Sequence, residues 1–262
     1  MKSVPATGLG AERSEGDPIL ALVKRLTNVA RYGFGEQARE KKRMLKAELR
    51  QKTFESELWD KEEGFAKRQY TSYDEYLAHQ SSKLAQISER LHETEGEDLS
   101  DFERRFAGCA ELAGARSVLC LGARLGTEVR ALHNLGYFAI GIDLNPGPEN
   151  PYVLMGDFHN LVFPSGSVDA LYTNALDHVF DLEKLTAEVR RVLRDGGIFI
   201  ADVLDGFEEG FTPGEFEAMH WRTIDELSGK IAEFGRMVEA SRRELGQVRR
   251  DRWTQLVFRA KP

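Results

Sequence analysis

Residues 117–146, SVLCLGARLGTEVRALHNLGYFAIGIDLNP, constrain the fold more than any other segment. A short apolar run, Ser117–Leu121, ends in Gly122, and a tight loop then holds Gly126. Thr127–Leu135 has helical periodicity, with Val129, Leu132 and Leu135 on one side, and Gly136 stops it. A second apolar run, Tyr137–Ile142, ends in Asp143, 21 residues after Gly122. This order is a crossover between parallel strands. Glycines let the backbone turn sharply and let a ligand approach it closely. A helix start presents free N–H groups and partial positive charge. A carboxylate at the end of the neighbouring strand accepts hydrogens from a pair of hydroxyls, as on a ribose. The glycine spacing alone also suits an ordinary strand–helix turn, and a lone aspartate there also suits a turn former.

The rest of the C-terminal part repeats the alternation. Val153–Met155 and Ser167–Thr173 read as strands, and Asp181 caps a helix carrying Leu182, Leu185, Val189, Val192 and Leu193 on one face. Gly196-Gly197 leads into a strand at Ile198–Leu204. Thr223 and Glu226 have capping-box spacing for a helix reaching about Phe234, and Met237–Leu245 and Trp253–Ala260 read as strands joined through Gly246. The expected class is α/β, a doubly wound, mostly parallel sheet.

The first 103 residues have another texture. Residues 1–17 read as a flexible tail, and 18–103 as a helical region. Ile19, Leu22, Val23 and Leu26 mark a short helix ended by Gly33 and Gly35. Residues 36–52 form a polar helix with seven basic and three acidic residues, whereas 53–103 carry 14 acidic and five basic ones. Asp74–Glu93 is a helix with Leu77, Leu84, Ile87 and Leu91 on one face, and Glu95–Asp98 reads as a loop. This region is expected to cap the site or to make an oligomer contact.

The net charge of −7 disfavours nucleic acid as the main partner. The two cysteines, Cys109 and Cys120, lack zinc or disulfide spacing, which suits a reducing, cytoplasmic setting. No segment is apolar enough for a membrane span, and MKSVPATGLGAERSEGDP lacks the apolar core of a signal peptide.

From about residue 104 to 262 the chain resembles the class I S-adenosylmethionine-dependent methyltransferases. VLCLGARLG stands where that family has its glycine-rich motif, IGIDLNP where it has the ribose-binding acid, and MGDFHNLVFPSGSVDALYTNALDH spans its next two motifs. EVRRVLRDGGIFIADV matches its helix–glycine–strand segment, and the final strand pair its antiparallel seventh strand. The resemblance implies a Rossmann-like, seven-stranded domain over 104–262 and S-adenosylmethionine as cofactor. It places Gly122, Ala123, Arg124 and Gly126 around the cofactor loop, and Asp143 and Leu144 at the ribose. Gly156, Asp157 and Phe158 fall by the adenine, with Asn174 after the fourth strand. Cys120 and Arg124 depart from the family, which usually has an acid and a glycine there. Arg124 offers a forked donor pair for the methionine carboxylate.

Methyl transfer from a sulfonium needs an aligned acceptor, and a high-pKa oxygen also needs a base. His178 is the first candidate base, because its position overlooks the methyl in the resembling family. His159 is second, and Asp177 either orients His178 or bonds a loop backbone. Asp202 and Asp205 lie at the next strand end, and His220 and Trp221 precede the last helix. No ligand spacing marks a metal site. The expected reaction is O-methylation of a small molecule or carbohydrate, and the rival is an inactive cofactor-binding scaffold. A nicotinamide enzyme is opposed by the missing second loop glycine and the terminal strand pair.

Overall fold

The computed structural model describes residues 18–32, 36–62, 64–248 and 251–261. The expected tail at 1–17 and the helix-ending Gly33 and Gly35 lie outside the described residues. The chain divides into two compact units. One holds the described residues up to Asp60 with Thr212–Glu215, and the other holds Lys61–Phe211 with Phe216 onward.

In the first unit, α1 (Pro18–Tyr32) packs on α2 (Glu36–Phe54). Leu22, Leu45 and Phe54 are buried, and Phe54 meets Trp59 edge to face. The charge of α2 stays outside, with Lys41, Lys42, Arg43 and Lys46 exposed.

The second unit begins in β1 (Trp59–Glu62), which turns at Gly64 into β2 (Phe65–Arg68), and continues in α3 (Tyr73–Ala107). There follow β3 (Ser117–Leu121), α4 (Thr127–Asn134), β4 (Phe138–Asp143), β5 (Val153–Met155) and β6 (Val168–Thr173). The chain then forms α5 (Leu182–Val192), β7 (Leu193–Leu204), β8 (Met219–Trp221), α6 (Ile224–Phe234), β9 (Met237–Val248) and β10 (Asp251–Ala260). The seven-stranded sheet has the order β5-β4-β3-β6-β7-β10-β9. It is parallel from β5 to β7, and β10 runs antiparallel to both its neighbours. This is the expected doubly wound α/β fold. Strand β3 lies between β4 and β6, so the chain order reverses there, and such a switch point opens a crevice at the strand ends.

Burial on both faces explains the unbroken apolar runs. Val118 and Cys120 of β3 join a core with Phe106 of α3 and Val129 and Leu132 of α4. Leu119 and Leu121 face the other way, into a core with Leu185 and Val189 of α5. Asp181 and Thr223 cap their helices as expected, accepting from the backbone N–H of Lys184 and Glu226.

Four sequence expectations need correction. Glu95–Asp98 is not a loop, because α3 runs unbroken through it. Phe102 and Phe106, one turn apart, anchor the C-terminal half of α3 on the sheet, and that burial outweighs the poor propensity of Gly96. Strand β7 begins at Leu193 rather than Ile198. Its ladder with β6 steps from Val168–Leu193 to Ala170–Ile198, and the irregularity takes up the glycine pair. Gly246 lies inside β9. Trp253 pairs with Gly246 and Thr254 with Glu244, so a bulge at Leu245 uses the positive φ (80°) of Gly246. Finally, β2 and β8 pair antiparallel, Phe65 opposite Trp221, in a small sheet with no counterpart in the periodicity of the sequence.

Candidate active site

The loop after β3 is built from backbone constraints. Gly122 has φ 71°, and a side-chain carbon there would stand 2.8 Å from Cβ of Ala175. Gly126 has φ 79°, and the same carbon there would be 2.8 Å from Cβ of Tyr152. Both positions therefore demand glycine. Between them Arg124 also takes a left-handed backbone, φ 44°, which explains why a glycine is usual at that place. The N–H groups of Gly122 and Ala123 both donate to the carbonyl of Ile142, at 2.9 and 3.0 Å. Asp143 completes the turn. Its Oδ2 accepts from the N–H of Arg124 at 2.9 Å and its Oδ1 from the N–H of Asn145 at 2.8 Å.

A pocket of about 490 Å³, partly open to solvent, lies over this loop. Gly122, Arg124, Asp143, Leu144 and Phe158 line its sheet side, and Ala175 and His178 close one end. Tyr76, Gln80, Lys83 and Leu84 of α3 form its roof. Ala123 and Gly126 stand behind the wall as loop supports, and Gly156 donates its N–H to the carbonyl of Asp143. Asn174 is half-buried next to Ala175 but is not part of the lining.

Asp157 and His159 form a locked group behind Phe158. Asp157 Oδ1 accepts from the backbone N–H of His159 at 2.8 Å and lies 3.0 Å from its Nδ1; Oδ2 accepts from the Tyr73 hydroxyl at 2.6 Å. Burial pushes the Asp157 carboxyl up, but the bonds from His159 and Tyr73 outweigh it and hold the group down at about 2. The N–H of Asp181 donates to Nε2 of His159 at 3.2 Å. Both ring nitrogens of this buried histidine are therefore engaged, with the proton assigned to Nδ1, and His159 is not part of the pocket lining.

His178 does reach the pocket. Its Nδ1 donates to the carbonyl of Phe216 at 2.9 Å, which leaves the Nε2 lone pair to accept from the Lys83 amine. Asp177 Oδ2 lies 3.7 Å from Nε2. Burial, then the charges of Lys83 and Arg124, push His178 well below the usual histidine range. Burial, then Arg124, also lowers Lys83, whereas burial and Glu217 raise Asp177. The other strand-end candidates lie elsewhere. Asp202 is fully buried against Arg105, Tyr172 and Gln255, and Asp205 accepts from Arg252. His220 and Trp221 are core residues. Cys120 is buried in the core and its thiol is pushed far up by burial, so it is not a nucleophile. Among the described residues, no three His, Cys, Asp or Glu side chains are placed to hold a metal ion.

The roof was missed by reading the sequence. Tyr73, Tyr76, Gln80 and Lys83 follow one another at helical spacing, so they share a face of α3. The signal was a glutamine and a lysine beside an apolar stripe, where a surface helix would place them further round.

Residues 119–201 match the family model of the methyltransferase domain. No curated protein sequence matches the chain. Among solved structures, the chain is similar to the 1,6-didemethyltoxoflavin N1-methyltransferase of Burkholderia thailandensis, solved with 1,6-didemethyltoxoflavin and S-adenosylhomocysteine. Identity is 15%, coverage is 78% of this chain and 99% of that one, and the TM-score is 0.60. A second likeness is to an S-adenosylmethionine-dependent methyltransferase of Thermotoga maritima, at 16% identity, 70% and 99% coverage and a TM-score of 0.54. At these identities the structures speak to the fold. The family match lies on the glycine loop, Asp143 and the strands that carry the pocket, so this part of the chain is an S-adenosylmethionine-dependent methyltransferase domain.

Proposed function

We propose that the protein transfers a methyl group to an oxygen of a small molecule or single sugar unit. The observation that carries this is the roof. Tyr76, Gln80, Lys83 and Leu84 cover a pocket whose other wall is the cofactor loop, and that enclosure suits a small acceptor better than a duplex or a folded protein surface. S-adenosylmethionine brings an activated methyl on a sulfonium, so the protein's task is alignment. In this reading Gly122 and Gly126 allow close approach, and Asp143 accepts from the ribose hydroxyls. Phe158 borders the adenine with Asp157 behind it, Leu144 lines the wall that Ala123 and Gly156 support, Asn174 stands beside that wall, and Arg124 faces the methionine end. Asp177 and His178 mark the acceptor end, with His159 holding Asp157.

The proposal includes a cytoplasmic setting, supported by two buried free cysteines, and an oligomer contact through the N-terminal helices, which light scattering would detect. The test is transfer of labelled methyl from S-adenosylmethionine into size-fractionated lysate. Label in the small-molecule fraction is expected. Label confined to protein or nucleic acid would overturn the acceptor class. Calorimetric binding of S-adenosylhomocysteine without any labelled product would favour the inactive scaffold.

A further inference from the structure

Lys83 is an ionisable side chain inside the pocket to which neither the sequence motifs nor the family match gives a role. It lies 36 residues before the matched segment, on α3, and its amine donates to His178 Nε2. The acceptor of that bond is fixed from behind. His178 Nδ1 donates to the carbonyl of Phe216, and Gln80 Nε2 donates to the same carbonyl at 2.8 Å. The Phe216 ring lies under the amine at 5.7 Å and stacks on His79. The imidazole thus has one orientation, and its only lone pair is already taken.

We infer that Lys83, not His178, takes up the acceptor's proton, and that His178 is the positioning residue that holds the amine. The inference rests on the oxygen-acceptor reading above and deepens it. A neutral amine has two hydrogens and one lone pair. One hydrogen goes to His178 Nε2, and the lone pair stays available to the pocket. The surroundings favour that neutral form. Arg124 faces the amine from the cofactor loop and, with burial, opposes its charge. Asp177 of the adjoining turn, Glu217 ahead of β8 and Asp143 of β4 act the other way. His178 and His79 also lie near it, and burial disfavours the charge of each. The balance holds Lys83 well below the ordinary lysine range, toward the neutral form that a base needs.

The step then closes. The acceptor's O–H proton passes to Nζ of Lys83 as the oxygen's electron pair bonds to the methyl carbon. The carbon–sulfur pair returns to sulfur as a neutral thioether, and the ammonium later yields its proton to water. The acceptor class follows. It is an alcohol or phenol that arrives uncharged, because an already ionised acceptor would need no base.

The test follows the ¹³Cε resonance of Lys83 from pH 5 to 11 in the full chain, free and saturated with S-adenosylhomocysteine, assigned by its loss in Lys83→Arg. A midpoint below 9 is expected in both states, well under that of a solvated lysine. Arg124→Gly should move it up, because one facing positive charge is removed. Lys83→Met should leave S-adenosylhomocysteine affinity within threefold of wild type. A midpoint above 9 in either state overturns the inference. So does a loss of S-adenosylhomocysteine affinity in Lys83→Met that 5′-methylthioadenosine does not share, because Lys83 would then be a ligand of the cofactor's carboxylate. If Lys83→Met fails to fold, the wild-type midpoints still decide. Failure of wild type to bind S-adenosylhomocysteine is a separate result and would sink the parent reading instead.

Discussion

Asp143→Asn is the sharpest probe of the cofactor end. A carboxylate offers about four lone-pair directions. Two are occupied, by the N–H of Arg124 at 2.9 Å on Oδ2 and that of Asn145 at 2.8 Å on Oδ1. One remains on each oxygen, matching the two hydroxyls of a ribose, and Asp143 lines the pocket. An asparagine keeps a single oxygen. If that oxygen retains its backbone partner, one lone pair is left for the ribose, and the –NH2 points its hydrogens at the other backbone N–H. Hydrogen bonds to a charged group contribute about 1.5–3 kcal/mol each. Losing one and turning the other neutral costs about 3 kcal/mol, or roughly 150-fold in S-adenosylhomocysteine affinity. 5′-Methylthioadenosine shares the ribose and should lose the same factor. Titration calorimetry reads both ligands. The unpaired backbone N–H should also lower stability by about 1–3 kcal/mol, measured by urea unfolding. A folded variant that binds both ligands within threefold of wild type would remove Asp143 from the ribose and refute the lone-pair argument.

Three further changes test neighbouring claims. Arg124→Gly relieves a left-handed backbone costing about 1–2 kcal/mol but adds about 0.5–1 kcal/mol of chain entropy, so urea unfolding should show a net gain near 0–1 kcal/mol. A loss above ~1 kcal/mol would mean that the guanidinium braces the loop. Glu128, buried in the first turn of α4, is held up at about 8 by burial. Its folded state keeps the proton while the unfolded chain releases it, so this contribution is full below about pH 4.3 and is lost as pH rises to 8. Relative to wild type, Glu128→Gln should therefore gain stability between pH 5 and 8, by up to about 1.4 kcal/mol per unit. Parallel pH profiles for the two chains would show the carboxyl to be ionised in the fold. Tyr73→Phe removes a donor to Asp157, so the Asp157 midpoint should rise from about 2 toward the ordinary carboxylate range in a carboxyl ¹³C titration. An unmoved midpoint would leave His159 as the sole support of that charge.

The parts legible in the sequence were those fixed by local backbone. Gly122, Gly126 and Asp143 lie within one strand–turn–helix–strand unit, and the order of the segments that follow it places them around a crevice. Helix caps at Asp181 and Thr223 are equally local. Partners far along the chain were not legible. Asp202 sits at a strand end like a site residue, yet Arg105, 97 positions earlier, claims its carboxylate. Lys83 reads as a surface lysine until the sheet fixes which side of α3 faces His178, 95 residues on. Gly96 and its acidic neighbours imitate a loop, because the force that keeps them helical is the burial of Phe102 and Phe106 on a sheet not yet formed in the local view.

The unbroken course of α3 has a mechanical consequence. The helix is held at its C-terminal end, where Phe106 is buried and Arg105 is bonded to Asp202, and again over the pocket, where Tyr73 donates to Asp157, Tyr76 to the carbonyl of His178 and Gln80 to that of Phe216. It is a beam held at both ends, and such a beam does not flap like a loop. Lifting Lys83 and Tyr76 to admit a ligand requires the beam to bend, and the soft point is Gly96, where an added side-chain carbon would meet nothing within 4 Å. Gly96→Ala should stiffen the beam and stabilise the helix by about 1 kcal/mol. Ligand entry would slow while the closed site stayed unchanged, so S-adenosylhomocysteine should lose on-rate and off-rate together, with its equilibrium affinity preserved.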